Sequence, residues 1–179
     1  FRETDPVERP ISPYAATKRA GELLLSSFHY AHGTAITCAR IFTAYGPRQR
    51  PDLAIRKFAE KILRDEALPV FGDGSAVRDF TFVADLVDGL VRAIDTDLGF
   101  AILNFGAGRT VSVKDVIETL ERALGRKARI EWLPRQTGDV LRTWSDTSAA
   151  RAALGYAPSV ELEEGVARFV EWLRAAGRS

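Results

Sequence analysis

Apolar residues recur along this chain at two different periods, and the period identifies the element. From Tyr14 to about His32 the apolar residues Ala16, Ala20, Leu23, Leu24, Phe28 and Ala31 follow helical spacing. Ser12-Pro13 precedes them as cap and first turn and Gly33 follows as a stop, so the pattern predicts a long helix. Residues 34–42 (Thr-Ala-Ile-Thr-Cys-Ala-Arg-Ile-Phe) are β-branched and apolar and break at Tyr45-Gly46-Pro47, which predicts a buried strand running into a loop. A helix over about 52–65 follows, then a short extended Val70-Phe71, an Asp73-Gly74 turn, extended Phe80-Thr81-Phe82-Val83, and a helix over about 85–96. The second half predicts strands at 101–105 and 129–133 and helices at 112–124, 147–154 and 162–175. Pro6, Pro10 and Pro13 make residues 1–13 a loop. Strands alternating with helices give an α/β fold class with at least partly parallel pairing.

Composition narrows the function classes. The 179 residues are 46% hydrophobic, enough for a core, and no apolar run nears the roughly 18 residues that a membrane span needs. Lys and Arg number 25 against 24 Asp and Glu, a net charge of +1, so neither nucleic acid nor a membrane surface is an expected partner. A single cysteine, Cys38, cannot close an internal disulfide, which suits a reducing compartment and a cytoplasmic protein. The chain contains no Met and opens Phe1-Arg2-Glu3 without a signal-peptide pattern, so the expectation is a piece of a longer protein.

Tyr14 and Lys18 stand at i and i+4, which puts a phenol and an ammonium on one helix face a turn apart. A phenol beside a cation ionises more readily than a phenol alone, the arrangement a hydroxyl-deprotonating base requires. Two other features carry less. Phe105-Gly106-Ala107-Gly108 follows a strand and precedes a helix as a dinucleotide fingerprint would, but Val111 replaces the third glycine and Ser112 suits an N-cap, so it is rejected as an NAD site. His29 and His32 have no further ligand at metal spacing and belong to a helix surface, and Cys38 is a small core residue; no metal is expected.

The segment around the pair, Pro10-Ile11-Ser12-Pro13-Tyr14-Ala15-Ala16-Thr17-Lys18-Arg19-Ala20-Gly21-Glu22, resembles the catalytic segment of extended short-chain dehydrogenases/reductases acting on nucleotide sugars. The stretch Arg40 to Asp52, then Val70-Phe71-Gly72-Asp73-Gly74, Arg78-Asp79-Phe80-Thr81-Phe82-Val83 and Gln136-Thr137-Gly138-Asp139-Val140 follow in that family's order. The resemblance is strongest to UDP-glucuronate and UDP-glucose 4-epimerases, with decarboxylases and dTDP-glucose 4,6-dehydratases as relatives. It implies Tyr14 as the base on the sugar 4-hydroxyl, Lys18 as the residue that holds the nicotinamide ribose, and Phe42 against the nicotinamide. For the substrate, a UDP-sugar or related nucleotide sugar, it implies Arg78 on the diphosphate and Phe71 over the uracil, with Pro69 and Val70 shaping that pocket. Thr43 stands where many relatives carry Asn beside the phosphates. Arg50, Asp52 and Leu53 of the Pro-rich loop face the sugar or phosphates, and Gln136 and Asp139 match the loop that closes over the ribose. The plainer alternatives are Arg78 paired with Asp79 on the surface, and Phe71 in the core.

The resemblance also implies an organisation. Residues 1–42 correspond to a remnant of the NAD-binding domain, comprising the Tyr-Lys helix and the late parallel strand after it, and 43–179 mainly to the small α/β nucleotide-sugar domain. The glycine-rich NAD-binding half and a catalytic Ser or Thr that relatives carry upstream are absent, so the expectation is a fragment that is inactive alone and binds NAD weakly. In relatives the helix that bears Leu23, Leu24 and Leu25 joins a dimer interface, so a homodimer is expected. A fragment of a nucleotide-sugar dehydratase or decarboxylase, and a non-catalytic nucleotide-sugar-binding or oligomerisation module, stay open as alternatives.

Overall fold

A computed structural model describes residues 1–135 and 140–176. After an irregular opening segment come α1 (Pro13–His32), β1 (Ile36–Ile41), β2 (Thr43–Tyr45), α2 (Ala54–Leu63), β3 (Ala67–Phe71), β4 (Val77–Arg78), β5 (Phe80–Phe82) and α3 (Val83–Asp95). The chain continues through β6 (Phe100–Phe105), β7 (Val111–Ser112), α4 (Val113–Leu124), β8 (Arg129–Leu133), α5 (Ser148–Leu154) and α6 (Leu162–Ala176). The α/β class and the parallel pairing follow the hydropathy pattern: β1 pairs with β6, β2 with β5 and β3 with β8, all in parallel. The short β4 and β7 pair antiparallel. Two-residue strands are too short to show a period, which is why the hydropathy pattern does not reveal them.

Local chemistry sets the helix ends. Ser12 accepts a hydrogen bond from the Ala15 amide at 3.1 Å, Pro13 occupies the first turn, and Gly33 (φ 66°) closes α1 with its N–H on the His29 carbonyl. Ser112 and Asp115 form a reciprocal capping box at the start of α4, as an N-cap reading of Ser112 requires.

The predicted strand at 34–42 divides in two. Up to Ile41 it pairs with β6, and the Phe42 amide still donates to the Phe105 carbonyl at 2.9 Å. The Thr43 amide then donates to the Asp79 carbonyl at 3.1 Å, so the strand changes partner from β6 to β5 within one residue. Residues at this handover belong to two hydrophobic cores, Tyr45 to the larger and Ala44 to the edge of the smaller. The larger joins Ile55, Leu68, Val70, Leu120, Val166 and Phe169 with neighbours from α2, β3, α4 and α6; the smaller joins Leu86, Leu103, Phe105 and Leu154 from α3, β6 and α5 with Tyr156 just beyond α5.

Candidate functional site

The handover from β1 to β2 opens a cleft of about 720 Å³. Ile41, Phe42 and Thr43, Leu53 just before α2, and Phe1, Arg2, Asp5, Pro6 and Val7 of the opening segment line it. That segment is tied down by polar residues set into otherwise apolar strands, Asn104 buried and Arg40 half-buried. The Asn104 amide N–H donates to Glu3 Oε1 at 2.7 Å, and its side chain donates to the Phe1 and Asp146 carbonyls at 3.0 and 3.1 Å. Arg40 on β1 donates to both carboxylate oxygens of Glu22 on α1, at 2.7 and 2.9 Å, and also to the Glu3 carbonyl. The Arg40 hydrogen bonds hold the Glu22 carboxyl below its usual range despite partial burial, and Glu22 in turn raises Arg40. Residue-type reasoning missed Asn104 and Arg40 as scaffold of this cleft. Their signal is a polar side chain interrupting an apolar strand sequence, Arg40 between Ala39 and Ile41 and Asn104 between Leu103 and Phe105.

Tyr14 and Lys18 stand outside the cleft lining, on the first two turns of α1. Tyr14 is 71% exposed, and the Lys18 ammonium lies 5.3 Å from its ring centroid, so the i, i+4 spacing does bring the two groups together. Burial raises the titration of the phenols of Tyr45 and Tyr156, whose hydroxyls donate to the Glu161 and Gly106 carbonyls. Burial also raises the Cys38 thiol, in keeping with a core residue.

The residues expected at the substrate divide into those the fold gathers and those it spreads. Phe42, Thr43 and Leu53 share the cleft. Arg50 and Asp52 form an exposed ion pair at 3.0 Å in the turn that leads into α2. Strand β3 alternates: Leu68 and Val70 point into the larger core, whereas Phe71 is 37% exposed and Pro69 half-buried. Phe71 is therefore not a core residue, and Val70 can border its pocket only through its backbone. Arg78 is half-buried and donates to the Val77 carbonyl at 3.0 Å. Asp79, beside it, is fully buried and turns inward onto the Gly106–Gly108 turn. Gln136 and Asp139 lie outside the described residues.

The Ala107 and Gly108 amides, which a dinucleotide fingerprint would offer to a pyrophosphate, are filled by the Asp79 carboxylate at 2.7 and 3.2 Å. Among the described residues no group of three or more His, Cys, Asp or Glu is arranged to hold a metal ion, and no helix is long and apolar enough to cross a membrane.

The sequence model of the NAD dependent epimerase/dehydratase family matches residues 1–106. The chain is 41% identical over 173 residues to a UDP-glucuronate 4-epimerase of Thermodesulfobacterium geofontis, covering 96% of this chain and 53% of that protein. It is 44% identical over 172 residues to the uncharacterized protein MJ1055 of Methanocaldococcus jannaschii, with the same shares covered. Among solved structures it is similar to the UDP-glucuronic acid 4-epimerase of Bacillus cereus in complex with UDP-glucuronic acid and NAD, with TM-score 0.88, 36% identity, and 94% of this chain and 54% of that one covered. It is also similar to MoeE5 in complex with UDP-glucuronic acid and NAD, with TM-score 0.92, 36% identity, and 98% and 60% covered. The chain thus spans about half the length of the curated relatives it matches.

Proposed function

The chain belongs to the NAD-dependent epimerase/dehydratase family, and from that premise we propose that it carries the Tyr-Lys pair and the substrate-binding part of a UDP-sugar 4-epimerase acting on UDP-glucuronate or UDP-glucose. The observation that carries this reading is the joining of Tyr14 and Lys18 on one open face of α1. Tyr14 takes the proton of the sugar 4-hydroxyl, and Lys18 stabilises the phenolate and holds the nicotinamide ribose. Bound NAD supplies the acceptor for the hydride that leaves C4.

The residues present fit one end of that cofactor. A phenol, an ammonium and the half-buried ring of Phe42 suit the ribose and nicotinamide. A pyrophosphate needs free backbone amides, and those of the Gly106–Gly108 turn are engaged by Asp79. On the substrate side Arg78 grips the diphosphate with its guanidinium fork, Phe71 stacks on the uracil, and Thr43, Leu53, Arg50 and Asp52 flank the sugar and phosphates. Residues 1–42 then serve the cofactor and 43–179 mainly the nucleotide sugar. The apolar face of α1 pairs two copies of the protein.

Calorimetric titration of the chain with UDP, UDP-glucose and NAD tests the reading. UDP and UDP-glucose are expected to bind and NAD alone is not; a chain indifferent to UDP would overturn the assignment of Arg78 and Phe71. In the whole protein, Tyr14→Phe is expected to lower kcat by about 10²–10⁴-fold, the range that a lost general base accounts for.

A further inference from the structure

Asp79 follows Arg78 in the chain, yet its side chain turns into the protein, where it is fully buried. Its carboxylate accepts from the Ser145 hydroxyl at 2.5 Å, the Ser145 amide at 3.0 Å, the Ala107 amide at 2.7 Å, the Gly108 amide at 3.2 Å and the Thr81 hydroxyl at 3.0 Å. Every one of these donors is neutral. A charge held this way is fixed in place, because amides already aimed at it cannot turn to water without leaving the carboxylate bare.

The carboxylate joins three stretches of chain that are far apart in sequence: the β4–β5 junction, the turn after β6, and the segment that carries Ser145. The joint is tight. A Cβ at Gly106 would lie 2.2 Å from Ser145 Oγ and 2.9 Å from Asp79 Oδ2, so only glycine fits there. The Asp79 backbone reaches the other way: its carbonyl accepts from the Thr43 amide at 3.1 Å, and its amide donates to Thr143 Oγ1 at 3.2 Å. Thr43 and Thr143 both line the cleft. One side chain therefore anchors a junction whose backbone is bonded to two residues of the cleft lining and whose preceding residue is Arg78.

We infer that Asp79 is a positioning residue: a built-in anion seated in the Gly106–Gly108 turn, it fixes the direction in which Arg78 and the Thr43–Thr143 wall meet the diphosphate of the nucleotide sugar. The inference rests on the role given to Arg78 above. A purely structural Asp79 would lower stability but act on ligand affinity independently of Arg78.

Calorimetry of UDP binding to the chain, with Arg78→Ala, Asp79→Asn and the double variant, separates the two. Asn keeps the size of Asp but sets its own N–H₂ against one of the donors. Each single variant is expected to weaken UDP binding on the order of tenfold, the scale of a charge-assisted hydrogen bond. The double variant is expected to stay within about twofold of Arg78→Ala, the signature of two residues acting through one contact. Losses that multiply in the double variant, or an Asp79→Asn chain with unchanged affinity, overturn the inference. If near-UV circular dichroism shows Asp79→Asn unfolded, Ser145→Ala decides: it removes one donor and keeps the carboxylate. It is then expected to weaken UDP binding about threefold in the parent and not on the Arg78→Ala background; unchanged affinity in the parent overturns the inference. A parent chain that binds no UDP is a separate result, since it removes the role of Arg78 itself and this inference with it.

Discussion

Glu22 sits on α1 and Arg40 on β1, 18 residues apart, and their bidentate contact is the polar link between the helix that carries Tyr14 and the strand that forms the cleft wall. Glu22→Gln would leave the partly buried Arg40 one neutral acceptor in place of two charged ones and set an amide N–H₂ against its guanidinium, and is expected to destabilise the fold by about 1–3 kcal/mol at pH 7 in urea denaturation. The pH dependence follows from the sign of the shift. The folded Glu22 carboxyl titrates below its ordinary value, so its contribution is present above the unfolded carboxylate value of about 4.3 and is lost as pH falls through the folded value. The gap between the parent and Glu22→Gln should therefore narrow as urea midpoints are measured from pH 7 down toward about pH 3; a constant gap would mean that charge is not what the contact supplies. The Tyr14-Lys18 pair is legible from the chain because i and i+4 always meet on a helix, whereas Glu22–Arg40 is not, because no spacing rule links a helix residue to a strand 18 positions on.

The elements themselves were mostly visible as periods, and their departures have local causes. The strand read as one over 34–42 is two, because hydropathy registers that a residue is buried and not which strand it pairs with. Helix α6 shows a second effect. Gly165 would ordinarily weaken a helix, but a Cβ there would stand 2.1 Å from the Tyr45 hydroxyl and 2.9 Å from the Phe82 ring. Gly165→Ala is therefore expected to lower stability by about 1–3 kcal/mol despite the better helix propensity of alanine, as a shift in thermal midpoint would show; a stabilised variant would mean that the Tyr45 ring moves aside freely. Helix propensity alone predicts the opposite sign, which makes this position a direct test of packing against intrinsic preference.

Across the whole molecule the apolar surface is unevenly covered. Helix α1 buries no residue fully, and Leu24 is 71% exposed beside Leu23, Leu25 and Phe28. Val87, Val91 and Ile94 on α3 are exposed as well, and α1 and α3 both pack on β1, whose described pairing is with β6 alone. A parallel pair ordinarily lies within a wider sheet covered on both faces, and apolar area of this extent normally meets a partner. Sedimentation at micromolar concentration is expected to give a dimer, and Leu23→Glu with Leu24→Glu to return a monomer; a parent chain that sediments as a monomer would count against pairing through α1.

The α/β class, both ends of α1, the start of α4 and the Tyr14-Lys18 pair are written in the sequence alone, because periodicity, capping and i, i+4 spacing act over a few residues and can be read in order along the chain. The same sequence set the glycine turn at 106–108 aside because Val111 stands in place of the third glycine, and carried no trace of the Asp79 carboxylate that engages its amides. The tertiary structure alone decided that Asp79 fills that turn, that Phe42, Thr43 and Leu53 share a cleft while Tyr14 and Phe71 stand outside it, and that Val70 faces the core. Those outcomes depend on contacts between residues tens of positions apart, where the direction of a side chain is set by what has folded against it and leaves no local trace in the sequence.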